Sequence, residues 1–236
     1  MIQFRLSELE APLVARLLGA DVAFSSVSTD SRTLLPGDLF VALQGPRCDG
    51  HDHLAQAEQR GAVAAMVSRE TGSGLPQLLV DDTRLRLGDL ARLWRRASPA
   101  PLVAVTGSNG KTTVKEMLAS ILGVRGSVLA TRGNLNNDIG VPLTLFRLGE
   151  QHRHAVVEMG ANHLGEIAYL TGIAKPTVGL VNDGLALLQR NRCDSVLAFG
   201  GGSSIDAGKV IALAAANAGQ FEFRHHFVDK ALPGSG

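Results

Sequence analysis

The clearest chemical signal lies in Thr106-Gly107-Ser108-Asn109-Gly110-Lys111-Thr112-Thr113, which follows an apolar run and precedes a segment of helical period. Glycines let such a backbone curl until several N–H groups face one point, and a following helix adds the positive end of its dipole. That geometry suits the phosphates of a nucleotide. Gly107, Ser108, Asn109, Gly110, Lys111, Thr112 and Thr113 would form the cradle, with Lys111 as the cation on the outer phosphates and the Thr112 hydroxyl as a ligand for Mg²⁺. The common spacing G-x-x-x-x-G-K-[ST] asks for glycine at position 105, where this chain has Val105, so the loop departs from the common form and carries its glycine at Gly107. A turn that binds nothing would also use glycines; the agreement of strand, Gly-Lys-Thr and helix favours phosphate. A second candidate is Glu158, which ends the apolar run Ala155-Val156-Val157. Open parallel sheets present ligand-facing residues at the carboxyl ends of their strands, which makes Glu158 a candidate metal ligand and a catalytic partner for Lys111. Taken alone, a solvated strand-end glutamate would look the same.

Positioning these groups requires strands that alternate with helices. Short β-branched runs at 39–43, 62–67, 78–80, 102–105, 155–158 and 177–181 read as strands, and 54–59, 85–97, 114–122 and 164–170 as helices. Leu87, Leu90, Ala91 and Trp94 lay one apolar stripe along the third of the resulting connections. The alternation defines an α/β class with parallel sheets. Ser98-Pro99-Ala100-Pro101 lacks two backbone donors and cannot continue a helix, so a domain boundary is expected there, between residues 1–98 and 99–182. Further on, 185–189 and 205–216 read as helices and 195–199 as a strand, leaving 220–236 as a tail.

Composition narrows the function classes. The 236 residues are 45% hydrophobic and 19% charged, enough apolar material for a sizeable core. Lys and Arg total 23 against 22 for Asp and Glu, so the net charge of +1 supplies no field for non-specific nucleic-acid binding. Cys48 and Cys193 stand far apart without a C-x-x-C partner pattern, which points to a reducing cytoplasm and away from a disulfide framework or a zinc site. The N-terminus lacks the basic start and apolar stretch of a secretory signal, and no apolar run approaches the ~20 residues of a membrane span. His51 and His53 would alternate sides if extended, so a polar loop is expected there and not a shared metal. His163 could stand near the Mg²⁺ site or simply start a helix.

Several of these residues together resemble the Mur ligase family. Thr106 to Thr113 is similar to that family's ATP loop. Gly133-Asn134-Leu135-Asn136-Asn137-Asp138-Ile139-Gly140-Val141-Pro142 resembles a signature of the branch that joins D-Ala-D-Ala to UDP-MurNAc-tripeptide. Val156-Val157-Glu158-Met159-Gly160-Ala161-Asn162-His163 and Ser28-Thr29-Asp30-Ser31-Arg32 with Pro36-Gly37-Asp38-Leu39-Phe40 are similar to the same branch, so the resemblance covers about residues 1 to 182. It implies an N-terminal UDP-sugar domain and a truncated ATP-binding domain with a P-loop and a parallel sheet. It also implies an ATP- and Mg²⁺-dependent amide synthesis through an acyl phosphate, with UDP-MurNAc-tripeptide and D-Ala-D-Ala as substrates. By the same resemblance Thr29, Asp30, Ser31 and Arg32 contact the nucleotide-sugar, and Asn134, Asn136 and Asn137 reach towards its sugar or phosphates. Read singly, those Asx residues would be turn and cap formers.

Near Asn182 the resemblance stops. The His-Leu-Glu element and the downstream lysine that the family carries beyond this point are not found, and complete ligase activity is therefore not expected. Residues 182–219, with Gly200, Gly201, Gly202 and Ser203 ahead of Ile205-Asp206-Ala207-Gly208-Lys209, resemble instead the NAD-binding segment of iron-dependent alcohol dehydrogenases. There the glycines would let a dinucleotide pyrophosphate approach a helix N-terminus. That family's metal ligands have no counterpart here; adjacent His225 and His226 read as part of a tail. The alternative reading is thus an NAD-binding fragment, or a fusion without a function of its own.

Overall fold

The computed structural model describes residues 2–180 apart from Arg47, Ser108, Asn109 and Leu164. The expectations for 185–189, 195–199, 205–216, Gly200 to Ser203 and His225–His226 lie outside the described residues. The chain opens with β1 (Phe4–Arg5), α1 (Leu6–Leu13), β2 (Arg16–Leu18), β3 (Ala23–Phe24) and β4 (Val27–Ser28). It continues through β5 (Leu39–Val41), α2 (Leu54–Gln59), β6 (Ala64–Val67), β7 (Gln77–Leu79) and α3 (Thr83–Arg96). Then come β8 (Leu102–Val105), α4 (Lys111–Gly123), β9 (Val128–Ala130), α5 (Gly140–Leu145), β10 (His154–Glu158), α6 (Glu166–Ala174) and β11 (Val178–Leu180).

Two larger sheets result, both consistent with the α/β expectation. The first runs β2-β7-β6-β5-β4 and is parallel except where β2 meets β7; β1 and β3 form a small antiparallel pair beside it. The second, β11-β8-β10-β9, is wholly parallel among its described strands. Burial on both faces explains the near-continuous apolar reading of β6 and β10. In the second sheet α4 covers one face, with Val114, Leu118 and Leu122 against Val105 and Val156.

Between the two sheets lies α3, which starts where the Asp82 carboxylate accepts the N–H groups of Arg84 and Leu85. Its stripe of Leu87, Leu90, Ala91 and Trp94 is fully buried, because α1 packs on one side and α5 and α6 on the other. Trp94 joins the two halves: its ring lies 5.8 Å from that of Phe4, 6.5 Å from Phe24 and 5.6 Å from Phe146, while its indole N–H donates to Leu148 O. Buried Arg95 donates to the carbonyls of Ala174 and Ser98, and burial pushes its guanidinium down from its ordinary range. One hydrophobic core thus runs through both sheets.

Candidate nucleotide and metal site

The phosphate loop stands where β8 feeds α4. Gly107 (φ 139°) and Gly110 (φ 75°) both adopt left-handed backbone, which other residues resist, and Gly110 directly precedes the first turn of α4. The helix begins three residues earlier than apolar periodicity indicates, because exposed Thr112 and Thr113 carry no hydrophobic signal. Lys111 turns back on the loop, its ammonium donating to Gly107 O at 2.6 Å. Ser108 and Asn109 lie outside the described residues.

Parallel pairing of β10 with β8 sets Glu158 beside Val105, at the carboxyl end of the sheet. The Glu158 side chain is deeply buried, and the residue as a whole is 3% exposed. Both carboxylate oxygens are occupied: the Thr112 hydroxyl donates to one at 3.0 Å, and the Asn136 amide to the other at 2.9 Å. Its backbone N–H donates to the hydroxyl of buried Thr131 at 2.9 Å. The structure thereby brings together Lys111, Thr112 and Glu158 on one loop and strand end, and adds Asn136 from the Gly133 to Pro142 segment.

That segment is held in place by its own chemistry. Asn136 accepts the Gly160 N–H on its carbonyl, and a side chain at Gly140 would strike the Leu135 backbone at 2.4 Å. The Asn137 side chain accepts the N–H groups of Ile139 and Gly140 and so caps α5. Asn134 and Asn137 are exposed. Arg84 of α3 pairs with Asp138 through two guanidinium nitrogens, tying the segment to the helix between the sheets.

A hard divalent cation such as Mg²⁺ needs oxygen ligands, and takes only one or two from protein when phosphate and water supply the rest. The Thr112 hydroxyl and Glu158 carboxylate, already in contact, meet that need. Among the described residues no group of three or more His, Cys, Asp and Glu side chains could hold a metal, so a cage built from protein alone is not present there. His163 is exposed; its N–H, like that of Asn162, donates to Glu166 ahead of α6.

Thr29, Asp30, Ser31 and Arg32 lie elsewhere, in the turn that follows β4 of the first sheet. They line a cleft of about 1130 Å³ together with Cys48, Gly50, His53 and Gln56. The Arg32 guanidinium grips the Asp30 carboxylate at 2.9 and 2.8 Å, and this pairing holds Asp30 down at about 2. Ser31 donates to Gln56 at 2.6 Å, and the Cys48 thiol lies 3.2 Å from His53 Nε2. In place of the expected polar loop, Gly50–His53 forms a short 3-10 turn, and His51 and His53 go to different places: buried His51 bridges Asp49 and the Ser68 N–H. Chiefly because the His51 backbone N–H donates to it, Asp49 sits well below the usual carboxylate range.

Sequence reasoning missed Thr131, Lys115, Asp138 and Cys48 in these surroundings. Lys115 had a signal, since it falls at 3-4 spacing with Leu118 and Leu122 on the sheet-facing side of α4. Thr131 and Asp138 meet their partners across long stretches of sequence, and Cys48, though close to His53 in sequence, belongs to no motif.

Comparison with known proteins agrees with this geometry. The family model "Mur ligase family, catalytic domain" matches residues 23–95, and "Mur ligase middle domain" matches 105–183. Through residues 23–95 and 105–183 the chain belongs to the Mur ligase family. It is 53% identical over 183 residues to the UDP-N-acetylmuramoyl-tripeptide–D-alanyl-D-alanine ligase of Escherichia coli K12, covering 78% of this chain and 40% of that protein. The Haemophilus influenzae ligase of the same name is 48% identical over 189 residues, covering 78% and 41%. Among solved structures, MurF from Acinetobacter baumannii matches with a TM-score of 0.72 and 40% identity, over 78% of this chain and 42% of that one. MurF from Thermotoga maritima in complex with ADP matches with a TM-score of 0.61 and 33% identity, over 79% and 42%. The chain thus spans about 40% of the length of the curated relatives it matches. A third family model, iron-containing alcohol dehydrogenase, matches residues 151–234. Among the described residues no helix is long and apolar enough to cross a membrane.

Proposed function

We propose that this chain carries the nucleotide-handling part of an ATP-dependent amide-forming ligase that adds D-Ala-D-Ala to UDP-MurNAc-tripeptide in the cytoplasm. The observation that supports it best is the meeting of Lys111, Thr112, Glu158 and Asn136 at the carboxyl ends of β8 and β10. In this reading residues 1–98 form the UDP-sugar domain and 99–182 part of the ATP domain. Lys111 exchanges its bond to Gly107 O for the outer phosphates of ATP, and the loop N–H groups face the same phosphates. Thr112 and Glu158 hold Mg²⁺, which when bound neutralises charge on the phosphates.

Catalysis of phosphoryl transfer is mostly positioning and electrostatics, and prearranged donors serve both. The peptide carboxylate of the UDP-sugar takes the γ-phosphoryl group from ATP, releasing ADP; the D-Ala-D-Ala amine then attacks the acyl carbon and phosphate leaves. Thr29, Asp30, Ser31 and Arg32 line the cleft for the nucleotide end of the UDP-sugar, and Asn134 and Asn137, exposed in the segment whose Asn136 reaches Glu158, serve the remainder. Equilibrium titration with Mg²⁺-ATP and with UDP-MurNAc-tripeptide tests this. Both ligands are expected to bind the same sample together; binding of neither, or strict competition between them, would overturn the two-site reading.

A second reading rests on the dehydrogenase model across residues 151–234. It would put NAD at Gly200, Gly201, Gly202 and Ser203. Where the two families overlap among the described residues, β10 is hydrogen-bonded between β8 and β9 of the phosphate-loop sheet, which favours the ligase reading there.

A further inference from the structure

Lys115 places a charge where the fold would accept a hydrocarbon. It lies on the face of α4 turned to the sheet, is 1% exposed, and neighbours Leu118 and Leu122. Its ammonium donates to Thr131 O at 2.9 Å and lies 2.8 Å from Glu116, whose side chain is 64% exposed. Taking an ammonium out of water carries a penalty of several kcal/mol, and a largely solvated partner returns little of it. A methionine of similar length would satisfy the packing at less cost. Stability alone therefore gives no reason for a lysine here.

The residue it binds gives one. Thr131 follows β9 directly, and its N–H donates to Val156 O at 3.1 Å while its hydroxyl accepts the Glu158 N–H at 2.9 Å. Thr131 is thus the point at which the end of β9 fixes the last residue of β10. Lys115 joins that point to α4, one helical turn beyond Thr112. Aliphatic contacts between α4 and the sheet are non-directional and permit small sliding, whereas a hydrogen bond fixes distance and angle. Sliding of α4 along β10 would part the Thr112 hydroxyl from the Glu158 carboxylate, now 3.0 Å apart.

We propose that Lys115 is a positioning residue: by tying α4 to Thr131 it sets the register in which Thr112 and Glu158 face one Mg²⁺. The inference rests on the nucleotide and Mg²⁺ reading above. Its test is the affinity for ADP, measured with Mg²⁺ and again in EDTA, together with a thermal melt of the free protein. Lys115→Met is expected to melt at or above the wild-type temperature, because a buried charge has gone. ADP affinity in EDTA should be unchanged, while the gain that Mg²⁺ confers falls about tenfold, as for other groups that orient metal ligands. Thr131→Val keeps the carbonyl that Lys115 binds but removes the hydroxyl that accepts the Glu158 N–H, the next link from α4 to Glu158. It should reduce the same gain, and the double variant should fall short of the sum of the two.

A full Mg²⁺ gain in Lys115→Met would overturn the proposal. Should that variant fail to fold, a full gain in Lys115→Leu, which also removes the donor to Thr131 O, would overturn it equally. If wild-type protein shows no Mg²⁺-dependent gain in ADP affinity, the reading of the site itself fails and takes this inference with it.

Discussion

The cleft around Arg32 and the cluster around Glu158 hold their charged groups in opposite ways. At the cleft, Asp30 and Arg32 pair in the open, with Arg32 exposed to solvent. At the cluster, one carboxylate is nearly sealed from water, each oxygen has its own donor, and its backbone is pinned by Thr131. An exposed pair can open for a ligand at small cost, because water replaces what is lost. A buried carboxylate cannot, because an oxygen without a partner pays its full desolvation penalty. The first arrangement suits a surface that adapts to a large nucleotide-sugar, and the second a site whose geometry is set before its ligand arrives. Helix α3 makes the two depend on each other.

That dependence yields the largest expected effect. Trp94→Ala removes the ring shared by Phe4, Phe24 and Phe146 and should destabilise the fold by about 3–5 kcal/mol. Denaturant melts followed separately through probes in each sheet should move together; movement of one alone would show that the halves are independent. Asn136→Ala comes next. It leaves one oxygen of buried Glu158 without a partner, with an expected loss of about 1–3 kcal/mol that a melt would register. Arg32→Ala should shift the melt far less, since its pair with Asp30 is exposed, while weakening UDP-MurNAc-tripeptide binding. An equal effect of the two substitutions on the melt would erase the contrast between the regions.

The smallest effect concerns pH. Arg32 holds Asp30 at about 2 in the folded state, below the ordinary aspartate value, so the folded protein binds this proton less readily than the unfolded chain. Its contribution is present in full above about pH 4 and is lost as the pH falls through about 2. Because the pair is solvated, the effect should be slight and should shrink further in high salt. Comparison of acid titrations of the wild type and Asp30→Asn measures it: the wild type should be slightly the more stable above about pH 4, and a difference that persists undiminished below about pH 2 would contradict the assignment.

The sequence revealed some of this and concealed the rest for physical reasons. Strands β5, β6, β8 and β10 announced themselves as compact apolar runs, and Gly-Lys-Thr located the turn into α4. By contrast α1 contains Pro12, and α5 opens on Gly140-Val141-Pro142, so a helix breaker obscures each; β9 is only Val128-Leu129-Ala130, with no alternation to mark it. Glu158 was legible as a strand-end acid, but its burial and its bond to Asn136, 22 residues away, were not. Asn137 reads alone as a cap and, together with Asn134 and Asn136, as a ligand contact; its side-chain oxygen accepts the Gly140 N–H at the start of α5. The Arg84–Asp138 pair spans 54 residues and leaves no local pattern. Sequence spacing finds groups that share one element; groups brought together by separate elements emerge only from the fold.

The central claim is that Lys111 and its loop form a working phosphate site. Calorimetric titration of Mg²⁺-ADP into wild-type protein and into Lys111→Ala tests it most directly. The account predicts saturable binding to the wild type, weakened about tenfold to a hundredfold by loss of the charged hydrogen-bond donor. Equal affinity in the two proteins, or no binding to either, would contradict it.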